Sequence, residues 1–243
     1  MHKLTFYPLG NADSCFIETD GGRNIIFDYG NMRNNDEEED VRIDLEAAVR
    51  SKLEEKEVDF VDVLAITHAD NDHLCGFSDL FYLNHAQKYK SDERIKINEL
   101  WVPSAVICGD ELEEEEAKIL RAEARHRLKN KQGIKVFSRP EFIDDWFEEE
   151  GLNADDYADF FVDAGTLVPG LDIDSDGIEF FVHSPFASRQ DDGTLVERND
   201  CSIVVQCCFK SGDTITKFIL GSDTAWEALE EIVNISKYHE NEE

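Results

Sequence analysis

His68, Asp70, Asp72 and His73 fall within six residues, in the stretch Thr67-His68-Ala69-Asp70-Asn71-Asp72-His73-Leu74-Cys75-Gly76. Each of the four can hold a metal ion or move a proton. The run before them, Val61-Asp62-Val63-Leu64-Ala65-Ile66, reads as a buried strand. Ionisable groups bunched at the end of a buried strand are costly unless something pairs with them, and a divalent cation is the natural partner. Imidazole plus carboxylate is a borderline ligand set that suits zinc, manganese or iron rather than calcium or copper(I). A polar loop that happens to hold two histidines is the bland alternative, and so much ligand chemistry in one turn speaks against it.

The elements that must position this block are strand-rich at both ends of the chain. Residues 3–8, 13–19 and 24–28 alternate or run apolar, and Asp20-Gly21-Gly22 suits a hairpin turn. Val41, Leu45, Ala48, Val49 and Leu53 recur at helical spacing over residues 41–57. After Gly76 a helix is expected through Leu80, Phe81 and Leu83, and Ile97 to Val102 is a further strand stopped by Pro103. Residues 104–170 read mainly as helices with acidic connections, a helical insertion lying beside the site within one domain of residues 1–243. Strands return at 178–183, 202–209 and 214–220, the last two joined by Lys210-Ser211-Gly212-Asp213. The class is α/β, with two sheets face to face and helices outside.

The block resembles the His-x-His-x-Asp-His signature of the metallo-β-lactamase fold, in the variant where aspartate replaces the second histidine. That variant is typical of the hydrolase domain of competence proteins of the DNA-uptake type. Other stretches fit in order. Gly10-Asn11-Ala12-Asp13-Ser14 and the strand after it resemble that group's Gly-Gln-Gly-Asp-Ser opening. Ile25-Ile26-Phe27-Asp28-Tyr29-Gly30 looks like the strand carrying the first motif aspartate, and Phe181-Val182-His183-Ser184-Pro185 like a Leu-His-Pro strand end. Asn199-Asp200-Cys201-Ser202 resembles Asn-Asn-x-Ser, and Phe218-Ile219-Leu220-Gly221-Ser222-Asp223 resembles the strand delivering the fourth-motif aspartate. The likeness spans roughly residues 3–103 and 177–232, and leaves 104–170 outside the family's core.

The resemblance implies an αββα sandwich and a metal-dependent hydrolase of phosphoesters, such as nucleotides or single-stranded nucleic acid. It implies one or two zinc or manganese ions, with His68 and Asp70 at a first site, Asp72 and His73 at a second, and Asp223 bridging. Asp72 is also the expected proton acceptor, His183 an extra ligand or substrate contact, and Asp28 a residue that holds the block without binding metal. Asn199 and Asp200 stand where the fold's third motif is normally histidine. The fifth-motif histidine is not found in the twenty residues after Asp223, whose tail is charged and helix-like. The fold is therefore expected to be incomplete at its C-terminal end. A C-terminal continuation, a partner protein or self-association would then cover an exposed sheet edge. The alternative function is a catalytically weakened subunit that acts in assembly.

Composition bounds these expectations. A chain of 243 residues suits one sizeable domain. No stretch approaches the ~20 apolar residues of a membrane span. Residues 1–6 go directly into a strand pattern without a signal-peptide core. With six cysteines, two of them adjacent, buried free thiols in a reducing cytoplasm fit better than a disulfide framework. Lys and Arg number 24 against 55 Asp and Glu, a net charge of −31, which repels nucleic-acid duplexes from the general surface. One stretch runs the other way: Lys118, Arg121, Arg125, Arg127, Lys129, Lys131, Lys135 and Arg139 lie within 22 residues, opposed only by Glu123. It reads either as a helix with acid at its N-terminus and base at its C-terminus or as a phosphate- or partner-binding patch.

Overall fold

A computed structural model describes residues 1–34, 36–37, 39–109, 112–138, 140, 142–185 and 202–240, with Phe142 and residues 235–240 described by their backbone only. The strands are β1 (Lys3–Phe6), β2 (Cys15–Glu18), β3 (Asn24–Phe27), β4 (Phe60–Ala65), β5 (Lys96–Pro103), β6 (Ile134–Phe137), β7 (Phe161–Val162), β8 (Ile178–Ser184), β9 (Val204–Ser211) and β10 (Thr214–Leu220). The α-helices are α1 (Leu45–Glu54), α2 (Asn71–Leu74), α3 (Phe77–Leu80), α4 (Ser104–Cys108), α5 (Glu115–Lys129), α6 (Phe142–Glu149) and α7 (Trp226–Glu240). β1 to β7 form a seven-stranded mixed sheet in sequence order. Its first three strands are antiparallel, and β3 to β7 run parallel. β8, β9 and β10 form a separate antiparallel sheet with β9 in the centre.

Two apolar clusters fix the layering. One packs α1, α3, α5 and α6 against the large sheet through Val49, Leu80, Leu120, Phe147 and the strand residues Phe16, Ile26, Leu64 and Leu100. The other lies between the sheets, where Ile17, Ile25, Phe27, Ala65 and Trp101 meet Phe180, Val182, Val205, Cys207 and Leu220. Trp101 and Phe180 meet edge to face there, with ring centroids 5.3 Å apart. Period-two alternation explains how one strand serves both cores: Ile25 and Phe27 turn to the inter-sheet side, Ile26 to the helices.

The expected 104–170 insertion is not a helical appendage. Residues 134–137 and 161–162 add β6 and β7 to the large sheet, and α4 to α6 cover its outer face. The basic run resolves in the same way. α5 begins with Glu115 and Glu116 and ends with His126, Arg127 and Lys129, matching its dipole. Arg121 donates to the carbonyls of Val106 and Gly109, Arg125 to Ile107, and Arg127 to Ile97 and Gly133. These guanidiniums hold backbone carbonyls rather than facing a phosphate. Arg139 lies outside the described residues.

The helix after Gly76 is shorter than expected. It ends at Leu80, and Phe81 instead bridges Ile95 in a parallel pairing. Among the described residues no helix is long and apolar enough to cross a membrane.

Candidate metal centre

The block leaves β4 through Ile66, whose N–H donates to the Trp101 carbonyl at 2.9 Å. Asp70, in extended backbone, precedes the single turn of α2, and Gly76 ends it in the left-handed region at φ 77°. The loop after β3 and the loop between β1 and β2 hold this turn in place. Tyr29 N–H donates to the His73 carbonyl (2.8 Å), Asn31 N–H to Cys75 (2.9 Å) and Asp13 N–H to Asp72 (3.2 Å). The two segments approach so closely that a Cβ on Gly30 would lie 1.9 Å from the Asp72 carbonyl oxygen, so only glycine fits.

Asp28 organises the side chains. It follows β3 with φ 57°, a left-handed conformation that aspartate tolerates better than most residues. Its carboxylate accepts from the Thr67 N–H (2.7 Å), the Thr67 hydroxyl (2.8 Å) and Nδ1 of His73 (2.9 Å). A histidine whose Nδ1 is tied to a carboxylate presents Nε2 in a fixed direction. On the other side, Nδ1 of His68 lies 3.2 Å from both the Thr67 and Ser222 hydroxyls, which are 2.6 Å from each other.

The two imidazoles face one space. Their ring centroids are 3.9 Å apart, and both Nε2 atoms are buried without a hydrogen-bond partner among the described residues. Ligand atoms of His68, His73 and Asp223 all lie within 4.8 Å of one another, with Asp223 Oδ2 3.4 Å from Nε2 of His73. Asp70 Oδ2 is 3.7 Å from Nε2 of His68. Side chains of Asp70 and Asp223 are about two-fifths exposed (37% and 44%), so the cluster opens to solvent on its carboxylate side. Buried ring nitrogens left without partners and aimed at a carboxylate fit a cation: two imidazoles and one carboxylate form the three-ligand set of a catalytic zinc site.

Electrostatics follow the geometry. Burial holds the His68 imidazole below its usual value, and the neighbouring charge of His73 pushes the same way. For His73 burial also disfavours charge, but the Asp28 hydrogen bond and the charges of Asp28, Asp223 and Asp72 prevail and lift it to about 9. Asp13 is pushed above the usual carboxylate range by burial, with Asp28, Asp223 and Asp72 adding repulsion against the pull of His73.

His68, His73 and Asp223 are thus brought together, with Asp70 beside His68. The trio draws from both of the expected sites. Asp72 is outside it, half-buried on α2, and its charge reaches His73 and Asp13. His183 is outside this trio, although its Nε2 is likewise buried without a hydrogen-bond partner among the described residues. β8 sends Ile178, Phe180 and Val182 into the inter-sheet core, and His183 stands beside Phe181 with ring centroids 5.1 Å apart. Asn199 and Asp200 lie outside the described residues. Sequence reading missed Thr67 and Ser222, whose only signal is that each immediately precedes a candidate ligand, His68 and Asp223. A scan against models of known families finds no match for this chain, and neither does a search of curated proteins, so function has to be argued from the site.

Proposed function

We propose that the chain is a metal-dependent hydrolase of phosphoester bonds, built on a metallo-β-lactamase-like αββα sandwich. The observation that carries this reading is the convergence of two buried, unpartnered Nε2 atoms on Asp223. His68, His73 and Asp223 would hold one zinc or manganese ion, with Asp70 within reach and Asp72 available to a second. Such an ion, when bound, supplies a hydroxide near neutral pH and polarises the phosphoryl oxygen under attack. The chain's own groups do the rest. Asp28 fixes the His73 ring, and the Thr67 and Ser222 hydroxyls fix that of His68. The Asp72 carboxylate accepts the proton released by the attacking water. A net charge of −31 repels long polyanions, which favours small phosphoesters such as nucleotides, then single-stranded nucleic acid. The place of action proposed is the cytoplasm.

A second reading, a subunit working in assembly, is favoured by one observation. β10 is an edge strand with six of its seven residues exposed, Ile215 and Ile219 among them.

Elemental analysis after reconstitution, with an assay on bis-p-nitrophenyl phosphate, tests the hydrolase. We expect at least one zinc or manganese per chain and metal-dependent turnover, both lost in His68→Ala. Well under one ion per reconstituted chain would sink the proposal, and metal without turnover would leave the assembly reading.

A further inference from the structure

A single line of hydrogen bonds joins the two imidazoles of the candidate centre on the side away from the carboxylates. From His73 Nδ1 it runs to Asp28 Oδ2 (2.9 Å), then Thr67 Oγ1 (2.8 Å), Ser222 Oγ (2.6 Å) and His68 Nδ1 (3.2 Å). Thr67 Oγ1 also lies 3.2 Å from His68 Nδ1. Both sheets contribute: Asp28 follows β3, Thr67 comes just after β4, and Ser222 comes just after β10. Asp28 and Thr67 are only 4% and 2% exposed, so the hydrogens there have to be shared among these groups.

Counting hydrogens gives the line a direction. The Thr67 N–H donates to Asp28 Oδ1, and an ionised carboxylate has no hydrogen of its own to give. The one hydrogen of the Thr67 hydroxyl therefore goes to Asp28 Oδ2, and towards Ser222 and His68 that oxygen can only accept. Two hydroxyl oxygens 2.6 Å apart repel unless a hydrogen lies between them, so the Ser222 hydrogen goes to Thr67. Neither hydroxyl then has a hydrogen left for His68. Its Nδ1 must carry its own, shared between two oxygens at 3.2 Å. A neutral ring with hydrogen on Nδ1 leaves a lone pair on Nε2.

The surroundings of that Nε2 favour the opposite arrangement. Asp70 Oδ2 is 3.7 Å away and Asp223 belongs to the same cluster, so either carboxylate would attract a hydrogen placed on Nε2. Such a hydrogen would stand where an ion has to bind. We infer that Thr67 and Ser222 are positioning residues: they relay the accepting character of Asp28 to His68, hold that ring as its Nδ1–H tautomer and keep the Nε2 lone pair open to the centre. One carboxylate thereby sets both imidazoles, His73 directly and His68 across two hydroxyls. The inference rests on the hydrolase reading only for what that lone pair serves.

Long-range proton–nitrogen correlation NMR on the intact, metal-free chain reads which ring nitrogen carries hydrogen. It is run at about pH 8, above the ordinary histidine value of about 6.5. The parent should show the His68 hydrogen on Nδ1. Asp28→Asn is the telling variant, because residue 28 reaches His68 only through the relay. The Thr67 N–H keeps the amide oxygen at the Oδ1 place, so the NH2 group takes the Oδ2 place and donates to Thr67. The line then reverses, Ser222 donates to His68 Nδ1, and the His68 hydrogen moves to Nε2. An amide in place of a carboxylate behind a histidine selects the wrong tautomer in the same way. Thr67→Val frees the Ser222 hydroxyl to donate to Nδ1 and should give the same shift, while Thr67→Ser should keep the parent tautomer. Zinc affinity should fall about 10–100-fold in Thr67→Val and hold in Thr67→Ser. Should Asp28→Asn fail to fold, the two Thr67 variants decide. Hydrogen on Nε2 in the parent, hydrogen kept on Nδ1 in either folded Asp28→Asn or Thr67→Val, or equal zinc affinity in Thr67→Val and the parent would overturn the inference. The hydrolase reading is judged separately. A parent with the Nδ1–H tautomer that takes up no zinc leaves the relay standing and removes the hydrolase, and metal-dependent turnover with hydrogen on Nε2 does the reverse.

Discussion

Asp28 shows how a residue outside the candidate trio can decide whether its histidines are aimed to hold an ion. Its carboxylate accepts three hydrogen bonds, from the Thr67 backbone, the Thr67 hydroxyl and His73 Nδ1. Asparagine tolerates the left-handed backbone at this position and keeps an accepting oxygen, so Asp28→Asn should fold. It should nevertheless bind zinc about 10–100-fold more weakly, because the ring loses its oriented, charged partner. Competition with a chromophoric chelator measures this, and unchanged affinity would mean that Asp28 is only structural. Asp28→Ala should do worse, leaving Thr67 N–H and His73 Nδ1 buried without partners. Ligand chemistry was legible in sequence where it was local: His68 and His73 stand in one turn, and Asp223 ends an apolar strand pattern. The hydroxyls behind them were not. The Thr67–Ser222 contact joins residues 155 positions apart, and a hydroxyl beside a motif residue leaves no periodic trace.

Within the helices, α5 carries the clearest burial of charge away from the candidate centre. Glu123 is wholly buried and accepts from Arg127 Nε (2.6 Å), the His85 N–H (2.9 Å) and His85 Nδ1 (3.0 Å). Burial pushes its carboxyl up, but the Arg127 charge and these hydrogen bonds bring it below its usual value. A carboxyl whose folded value is depressed adds stability above its unfolded value, and that stability is lost as pH falls through the folded one. Glu123→Gln should therefore cost about 3–5 kcal/mol at pH 7, since buried Arg127 loses its counter-charge. The gap to the parent chain should close as pH falls below the ordinary glutamate value of about 4.3. Urea unfolding of both proteins at neutral and acidic pH checks this, and equal stability at pH 7 would show that the pair is not needed. The acid-to-base gradient of α5 was readable from spacing, as were β8, β9 and β10. β6 and β7 were hidden, because strands of four and two residues are too short for alternation to separate them from the flanking helices.

At the scale of the whole molecule, two opposing features meet at β10. Among the described residues the strand leaves one edge of its sheet unpaired, and Ile215 and Ile219 are each more than half exposed there. Such an edge is a template for another strand. Against this stand Lys217 on the same strand, a usual guard of open edges, and the net charge of −31, which drives copies apart. The balance depends on salt. Charge repulsion reaches about 30 Å at 0.01 M ionic strength and about 8 Å at 0.15 M, while apolar contact is not screened. The chain should therefore sediment as a monomer at low salt and shift to larger species as salt rises, the reverse of an association driven by opposite charges. Ile219→Lys adds a second cation to the edge and removes exposed apolar surface, so it should remain monomeric throughout that range. Because Ile219 also borders a cavity beside the centre, Ile215→Lys is the cleaner companion, and both variants should behave alike if the edge is responsible. A parent chain that stays monodisperse from low to high salt would remove the edge as an assembly surface. The assembly reading would then lose its main support, and the convergence of His68, His73 and Asp223 would be left as the feature that argues for a function.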